Sequence, residues 1–444
     1  MSRLTVFPGQ PLRGEVNLPG DKSISHRAAL LAAMAEGESR MEHFLDSGVT
    51  RVLLDALSGL GIRWQLQDET LTVEGQGWRI PATALNCGNS ATTLRLLAGA
   101  LAARNTAAVL DGSAGLRRRP MGRILQPLRT MGVAIDSADG EHVPLTISQR
   151  LTGKPLRATT HRLPIASAQV KSCLLLAGLA AEGAVTVIEP HRSRDHSERL
   201  LSALGVEIES RPLEDGWGVT IQPHPAALPP FHLTIPGDTS AAAFWLTAAC
   251  ITPGSRIVLR GVGLNPGRIG LLEALQEMGG RIEVIPRGEQ GGEPVGDVVV
   301  CHADLRGIEI DGERVTAMID EFPVFAVAAV FAKGTTRVHQ AEELRHKESD
   351  RIRALCSLLS ALGATVEEHP DGFTVYGQGR LQGGAVVQAE GDHRIAMAAA
   401  IAGLAADQPV TVQGAEIMAE SYPNFAETLR GLGGKIRMEA ENGG

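Results

Sequence analysis

The chain has 444 residues, 43% of them hydrophobic, which is more than one core usually absorbs, so we expect two domains. The formal net charge of −8 argues against a nucleic-acid or membrane partner, because both surfaces are anionic. It leaves small anionic ligands open, since a local group of cations can outweigh a distant negative surface.

The sequence shows no pattern typical of secretion, membrane insertion or metal binding. The first twenty residues contain no apolar targeting segment, and no apolar run approaches the ~18 residues of a membrane span, so we expect a cytoplasmic protein. The sequence lacks an HExxH motif, and its five cysteines are scattered without CxxC spacing. We therefore predict no metal site and buried, reduced thiols at Cys87, Cys173, Cys250, Cys301 and Cys356.

In chain order, an Ala/Leu-rich helix followed by a β-rich run occurs six times, with a period of about 70 to 80 residues. These helices are apolar on nearly every face, so we expect them inside a helix bundle. The six segments are 27–44, 94–112, 172–190, 243–261, 324–341 and 396–414.

Between these segments lies a second, amphipathic helix that ends at a glycine and leads into another strand. A glycine directly after a helix favours a left-handed backbone that other residues adopt only at a cost. The predicted helix-ending glycines are Gly61, Gly132, Gly205, Gly279, Gly363 and Gly433.

Each repeat therefore consists of β-α-β-α-β plus one extra strand, and six repeats predict an α/β (α+β) fold with two pseudo-threefold domains. We place the boundary near residues 229–236, where Pro229, Pro230 and Pro236 should interrupt regular structure. The strands before Lys22 should pair with the later half. The predicted domains are 1–20 plus 237–444, which is discontinuous, and 21–236.

Polar clusters precede the predicted helices at a recurring position. They are GDKSISHR (20–27), CGNSATTLR (87–95), ASAQVKS (166–172), IDEFP (319–323), RHKESDR (345–351) and EGDHR (390–394). Helix starts carry unpaired N–H groups and partial positive charge, so several of them facing one cleft would bind polyanions. Lys347 and Arg351 are four residues apart and share a helix face.

Each cluster also has a purely structural interpretation. Ser23 and Asp392 could be helix N-caps, and Glu348 with Arg351 could be a solvated ion pair. Arg117, Arg118 and Arg119 could be a surface run, Asp320 and Glu321 could simply begin a helix before Pro323, and His393 could be a hydrogen-bonded structural histidine. Independent surface residues would not recur in phase with the repeat, and this favours a shared ligand site.

The segments GDKSISHR, GNSATTLR, RRRPM, ASAQVKS, SRDH, MIDEFPVFAVAA, ELRHKESDRI and GDHRIAMA resemble the signature segments of the 5-enolpyruvylshikimate-3-phosphate synthases, in the same order and over nearly the whole chain. ASAQVKS and SRDH resemble the class II branch of these enolpyruvyl transferases. The resemblance implies an inside-out, barrel-like fold of two domains with three βαβαββ units each, with the active site in the interdomain cleft. It also implies a monomer that needs no metal or organic cofactor.

The resemblance implies transfer of the enolpyruvyl group of phosphoenolpyruvate to the 5-hydroxyl of shikimate 3-phosphate. Its implied shikimate 3-phosphate ligands are Lys22, Ser23, Arg27, Ser167, Ala168, Gln169, Arg194, Asp320 and Lys347. Its implied phosphoenolpyruvate ligands are Lys22, Asn89, Ala91, Arg119, Gln169, Glu348, Arg351 and Arg394.

The candidate catalytic groups are two carboxylates, one lysine and one histidine. Asp320 is the candidate general base at the 5-hydroxyl, and Glu348 is the candidate for proton transfer at C3 of phosphoenolpyruvate. Lys22 would serve both steps, and His393 would assist proton movement.

Two positions depart from the common pattern of the family. Ala91 stands where a glycine is frequent, and its methyl group should hinder the longer inhibitor glyphosate more than phosphoenolpyruvate, so we expect weak inhibition. Glu420 stands where many relatives carry lysine, and since a carboxylate would repel two polyanions, we expect it to point away from the site.

Two alternatives compete with this interpretation. The sister enzyme acting on UDP-N-acetylglucosamine has the same fold, but its mobile loop carries a cysteine that acts as the acid. The corresponding residues 111–121 contain no cysteine here. A non-catalytic scaffold binding RNA ends would need a basic face and aromatic stacking positions, and only 3% of residues are aromatic.

Overall fold

A computed structural model describes residues 2–151 and 154–440. These residues form two compact units. The first unit comprises residues 20–235 and 289–293, and the second comprises residues 2–19, 236–288 and 294–440.

The chain begins with two strands of the second unit and continues through the first two repeats of the first unit. The strands are β1 (Ser2–Phe7) and β2 (Arg13–Asn17). The first repeat contains α1 (Lys22–Met34), β3 (Gly37–Glu42), α2 (Gly48–Gly59), β4 (Arg63–Gln67) and β5 (Thr70–Gly75). The next contains β6 (Leu85–Asn86), α3 (Ala91–Arg104), β7 (Ala108–Asp111), α4 (Ala114–Arg117), α5 (Gly122–Met131), β8 (Ile135–Ser137) and β9 (Leu145–Ile147).

The third repeat completes the first unit, and the fourth begins the helices of the second. The third repeat contains β10 (Thr160–Arg162), α6 (Ala168–Gly178), β11 (Val185–Glu189), α7 (His196–Ala203), β12 (Ile208–Leu213) and β13 (Gly216–Ile221), followed by β14 (His232–Thr234). The fourth contains α8 (Thr239–Ile251), β15 (Arg256–Gly263), α9 (Gly270–Glu277), β16 (Arg281–Gln290) and β17 (Glu293–Cys301).

Two further repeats complete the second unit. The fifth contains β18 (Glu309–Ile310), α10 (Gly312–Ala317), α11 (Phe322–Phe331), β19 (Lys333–Val338), a 3-10 helix (Glu342–His346), α12 (Arg351–Ala361), β20 (Thr365–His369) and β21 (Gly372–Gln378). The sixth contains β22 (Val386–Gln388), α13 (His393–Ala405), β23 (Val410–Gln413), a 3-10 helix (Ala415–Glu420), α14 (Phe425–Gly431) and β24 (Lys435–Ala440).

The described strands form six four-stranded sheets that share one topology. The first unit contains the sheets β14-β3-β5-β4, β6-β7-β9-β8 and β10-β11-β13-β12, and the second contains β16-β17-β15-β2, β18-β19-β21-β20 and β22-β23-β1-β24. In the first unit each sheet has one parallel outer pair and two antiparallel pairs; for example, β6 is parallel to β7, which is antiparallel to β9. The six sheets therefore correspond to the six repeats predicted from the sequence.

The first helix of each repeat is buried, as the apolar sequence predicts. All thirteen residues of α8 are buried in the second unit, and α1, α3 and α6 lie in the separate core of the first. A side chain at Gly99 of α3 would come within 2.2 Å of the Cys173 carbonyl oxygen of α6, so these two helices need glycine to approach each other. The six helix-ending glycines all have φ between +86° and +97°, which confirms their predicted left-handed backbone.

Two local predictions need correction. The proline-rich stretch is not devoid of regular structure, because β14 lies between Pro230 and Pro236 and pairs in parallel with β3. Cys301 is half-buried because it is the last residue of the mostly buried strand β17, while the other four free cysteines are buried. Of the helices in residues 2–151 and 154–440, none is long and apolar enough to cross a membrane.

Candidate active site

In the first unit, polar residues from three helices surround the buried guanidinium of Arg27. Its Nε donates to Ser197 Oγ at 2.7 Å, and one terminal nitrogen donates to Ser172 Oγ at 2.9 Å. The guanidinium also donates to the backbone carbonyls of Ser23 at 3.0 Å and Ala168 at 3.5 Å. We call Arg27, Ser172 and Ser197 the Arg27 cluster.

The Arg27 cluster holds its cation with neutral oxygens. Burial lowers the pKa of Arg27 to about 10, and the nearby charges of Glu198 and Asp21 oppose this shift. Arg27 therefore stays protonated at neutral pH, with hydroxyl and carbonyl oxygens around it. Such a cation can still attract an anion strongly.

The start of α6 presents a second group of polar side chains. Ser167 is the N-cap of α6, as its hydroxyl accepts the Val170 N–H at 3.4 Å. The Gln169 side chain accepts from Arg95 at 2.7 Å and donates to Thr92 Oγ1 at 2.9 Å. Gln169 is thereby fixed against α3, whose first residue is Ala91.

The remaining candidates of the first unit also lie at or near helix starts. Lys22 and Ser23 are the first two residues of α1, while its N-cap is Asp21, so the N-cap interpretation of Ser23 is wrong. Asn89 accepts from Ser113 Oγ at 3.1 Å, one residue before the Ser90 N-cap of α3. Arg119 follows α4, and Arg194 lies two residues before α7; both are half-buried.

In the second unit, Arg351 is the centre of a buried ionic network at the start of α12. It is 1% exposed, and its Nε lies 2.8 Å from Asp392 Oδ2. Its terminal nitrogens lie 2.7 Å from Glu348 Oε2 and 3.2 Å from Asp320 Oδ1. We call Arg351, Asp320, Glu348 and Asp392 the Arg351 cluster; it joins the starts of α11, α12 and α13.

Within the Arg351 cluster, the positive charge of the arginine and the negative charges of the carboxylates stabilise each other against the cost of burial. Burial opposes the charge of Arg351, but its three carboxylates outweigh burial and hold the pKa above its usual range. Burial likewise opposes ionisation of Asp392, whereas Arg351 holds the Asp392 pKa below its usual range. Asp392 is also the N-cap of α13, so its structural interpretation is correct as well.

Two other predicted cations lie close to this cluster. Arg394 Nη2 is 4.0 Å from Asp320 Oδ2, and Arg394 Nη1 is 3.9 Å from Glu321 Oε1. Lys347 is half-buried directly before Glu348, and burial lowers the pKa of its ammonium while the charge of Asp320 opposes that shift. A lysine with a lowered pKa exchanges protons more readily near neutral pH.

His393 and Glu420 contact each other in the second unit. His393 Nδ1 lies 3.7 Å from Glu420 Oε2, and His393 follows Asp392 at the start of α13. The prediction that Glu420 points away from the ligand site stays a prediction. The adjacent imidazole offers the carboxylate a polar partner within its own unit.

Sequence reasoning missed several residues that complete these clusters. Thr92, Arg95, Ser172 and Ser197 lie inside the quoted motifs or next to them, yet nothing in their local pattern indicated the contacts with Arg27 and Gln169. Among the described residues, no group of three or more His, Cys, Asp or Glu side chains has the arrangement of a metal site.

Six repeated sheets with polar helix starts define an enolpyruvyl transferase fold. The solved enolpyruvyl transferase NikO from Streptomyces tendae has this fold, with a TM-score of 0.78 at 22% identity over 99% of both chains. The EPSP synthase of Acinetobacter baumannii has a TM-score of 0.86 at 36% identity, over 99% of this chain and 100% of that one.

The sequence comparisons identify the family. The family model for EPSP synthase (3-phosphoshikimate 1-carboxyvinyltransferase) matches residues 6–429. A 3-phosphoshikimate 1-carboxyvinyltransferase of Geobacter sulfurreducens is 46% identical over 97% of this chain and 99% of its own, and one of Bacillus subtilis is 41% identical over 96% and 98%. The chain belongs to the EPSP synthase family, which confirms the predicted fold class and transferase activity in the shikimate pathway.

Proposed function

We propose that residues of the Arg27 and Arg351 clusters together transfer the enolpyruvyl group of phosphoenolpyruvate to the 5-hydroxyl of shikimate 3-phosphate. The observation that carries this proposal is the convergence of three helix starts on Arg351, where two candidate proton-transfer groups, Asp320 and Glu348, share one arginine. Two carboxylates on one cation can take opposite protonation states when a substrate disturbs the balance.

Shikimate 3-phosphate is assigned mainly to the first unit. The phosphate is expected to bind near Arg27, Arg194 and the N-terminus of α6, because cations and the positive end of a helix favour phosphate there. Ser167, Ala168 and Gln169 form that helix start, and Lys22 and Ser23 begin α1. Lys347 and Asp320 of the second unit are proposed to contact the same substrate.

Phosphoenolpyruvate is assigned to cations of both units. Arg351 and Arg394 are the proposed partners in the second unit, and Lys22 and Arg119 are those in the first. Arginine suits this role because it forms two parallel hydrogen bonds with a carboxylate or phosphate. Asn89, Ala91, Gln169 and Glu348 are proposed to line the same ligand.

The first step adds the alcohol to the enol phosphate. The 5-hydroxyl oxygen attacks C2 while Asp320 takes the hydroxyl proton, and C3 gains a proton from protonated Glu348. A C–O bond forms at C2 and the C2–C3 double bond becomes single, which gives a tetrahedral intermediate. Lys22 stabilises the developing charge, and His393 assists proton movement.

The second step reverses the proton transfer at C3. Glu348 removes a proton from C3, the C2–C3 double bond forms again, and the C2–O bond to phosphate breaks. Asp320 passes the proton it took from the 5-hydroxyl to the departing phosphate oxygen, so inorganic phosphate leaves as hydrogen phosphate and the enolpyruvyl ether remains on the 5-oxygen. Asp320 is then again a carboxylate and Glu348 again an acid, so atoms and charges balance without a further reactant.

Phosphate release tests this function directly. The purified chain should release inorganic phosphate only when phosphoenolpyruvate and shikimate 3-phosphate are both present. Replacing shikimate 3-phosphate with UDP-N-acetylglucosamine should give no release. Phosphate release from phosphoenolpyruvate alone, or with the nucleotide sugar, would overturn the proposal.

The position of Ala91 supports natural tolerance to glyphosate. Ala91 is the first residue of α3 and is 2% exposed, so its methyl group occupies a position with little room for adjustment. Ala91→Gly should lower the glyphosate inhibition constant by about tenfold or more and change the KM for phosphoenolpyruvate by less. Ala98→Gly in the same helix is the control, and equal glyphosate potency in wild type and Ala91→Gly would contradict the idea.

A monomer in the cytoplasm is the proposed state of the enzyme. Both proposed substrates are small, water-soluble anions, which suits an enzyme that works in the cytoplasm. Sedimentation of the purified chain at assay concentration would check the monomer.

A further inference from the structure

A buried ionic triad lies behind the Arg27 cluster in the first unit. Lys171 of α6 is 0% exposed, and its Nζ lies 2.9 Å from Glu189 Oε2 and 2.8 Å from Glu198 Oε1. Glu189 is also 0% exposed, at the end of β11, and Glu198 lies in the first turn of α7. One ammonium thus faces two carboxylates away from water.

Glu189 does more than balance Lys171. Its Oε1 accepts the backbone N–H of Ser167 at 2.7 Å, and the Ser193 hydroxyl donates to both carboxylate oxygens, at 2.8 and 2.7 Å. Lys171 Nζ also donates to the Ser193 carbonyl at 3.3 Å. One carboxylate therefore connects the N-cap of α6 with the loop of residues 190–195.

That loop carries Arg194 and is fixed on both sides. Arg192 lies over the ring of Trp217, 4.7 Å from its centroid, and pairs with Asp195 at 2.7 Å. Ser193, between them, is held by Glu189. The backbone position of Arg194 consequently depends on the carboxylate of Glu189.

Stability alone is a weak explanation of this triad. Burying ions is costly, and a well-packed apolar trio of similar volume is often as stable or more stable. Burial raises the pKa of Glu198, as expected for the second carboxylate on one ammonium. Burying this triad costs free energy, yet it fixes both the Ser167 helix start and the loop of residues 190–195. Such a combination is typical of residues that orient a binding site.

We propose that Glu189, held in place by Lys171, is a positioning residue that sets the affinity for shikimate 3-phosphate by fixing Ser167 and the Arg194 loop together. This rests on the proposed function, in which these segments bind that substrate. Glu198 balances charge but reaches neither segment through its side chain.

Glu189→Gln is the decisive variant. The two oxygens of Glu189 together accept from Lys171, Ser167 and Ser193. A neutral amide has only one acceptor oxygen, so Glu189→Gln cannot keep all of these hydrogen bonds. The KM for shikimate 3-phosphate should rise about tenfold or more, because small displacements of binding groups are expensive. The KM for phosphoenolpyruvate should stay within about twofold of wild type.

Glu198→Gln is the matched control, since it makes the same chemical change on the same lysine. It should alter the KM for shikimate 3-phosphate by less than about threefold. Ser193→Ala provides a second test if Glu189→Gln fails to fold, because it removes the hydroxyl contacts with both Glu189 oxygens and leaves every charge in place. It should also raise that KM selectively.

Three results would be informative in different ways. Active wild type with a selective rise in KM for shikimate 3-phosphate in Glu189→Gln and Ser193→Ala supports the positioning role. Active wild type with unchanged KM in both variants, or with equal rises for both substrates, overturns it. Wild type without phosphate release would instead reject the proposed function.

Discussion

Arg27 and Arg351 are both buried arginines near helix starts, but the two units surround them differently. Arg27 in the first unit contacts hydroxyl and carbonyl oxygens, whereas Arg351 in the second contacts three carboxylates. The first environment leaves a cation ready to receive an anion. The second already has its anions, so an incoming substrate must displace one of them or change its protonation state.

In the proposed function, this difference separates substrate binding from proton transfer. A site that holds one phosphate throughout the reaction needs constant positive charge, and the Arg27 cluster is the proposed source of that charge. A site that moves protons needs carboxylates whose pKa values change with the charges around them. The Arg351 cluster contains the two proposed proton-transfer carboxylates, Asp320 and Glu348, each on a different terminal nitrogen of one guanidinium.

The largest expected effect tests whether the second unit performs the chemistry. Asp320→Asn should lower kcat by about 10²- to 10⁴-fold, because the amide cannot accept the hydroxyl proton. The change in KM for shikimate 3-phosphate should be much smaller. Steady-state phosphate release measures both, and Asp304→Asn, at an exposed position of the same unit, is the control. A kcat within threefold of wild type would show that Asp320 is not the base.

The next effect concerns stability and uses the two arginines as a matched pair. Arg351→Met leaves three carboxylates without their cation and should lower the free energy of unfolding by about 3–5 kcal/mol. Arg27→Met leaves only neutral oxygens and should cost about 1–2 kcal/mol. Urea denaturation curves of both variants measure the difference. Equal losses would mean that the two environments are not electrostatically distinct.

Local sequence patterns predicted the parts of the fold that depend on neighbouring residues. The buried helices and the glycines that end the amphipathic helices follow from periodicity and backbone preference, and both are present. The resemblance to a family supplied candidate site residues by position. It did not supply the partners that hold Arg27 or Lys171, since these lie more than a hundred residues away or on another element.

Glu420 illustrates why long-range contacts escaped prediction. Ligand charge alone predicts its orientation from sequence, whereas the structure adds an imidazole from another element, His393 of α13. Similarly, the sequence pattern of an N-cap at Asp392 is confirmed, but Asp392 also pairs with Arg351 from α12. A residue can satisfy a local pattern and a distant partner together, and only the first is readable in sequence.

The smallest expected effect tests how the first unit tolerates a titratable group beside Arg27. His26 is buried, and its Nδ1–H donates to the Lys22 carbonyl at 2.8 Å. Burial lowers the pKa of His26 from 6.5 to about 4, and the charges of Lys22 and Arg27 add to that shift. The native protein therefore keeps a neutral imidazole at pH values where the unfolded chain is protonated.

The sign of the pH dependence follows from this difference in pKa. The stability contribution is complete above pH 6.5 and is lost as the pH falls toward 4, since the unfolded chain then binds the extra proton. At pH 5.5 the loss should be about 1.4 kcal/mol relative to pH 8. His26→Gln should lack this component, whereas His302→Gln in the second unit should retain it. Thermal unfolding of the three proteins between pH 8 and 5 measures the effect, and parallel curves for wild type and His26→Gln would show that His26 has the same pKa in the native and unfolded states.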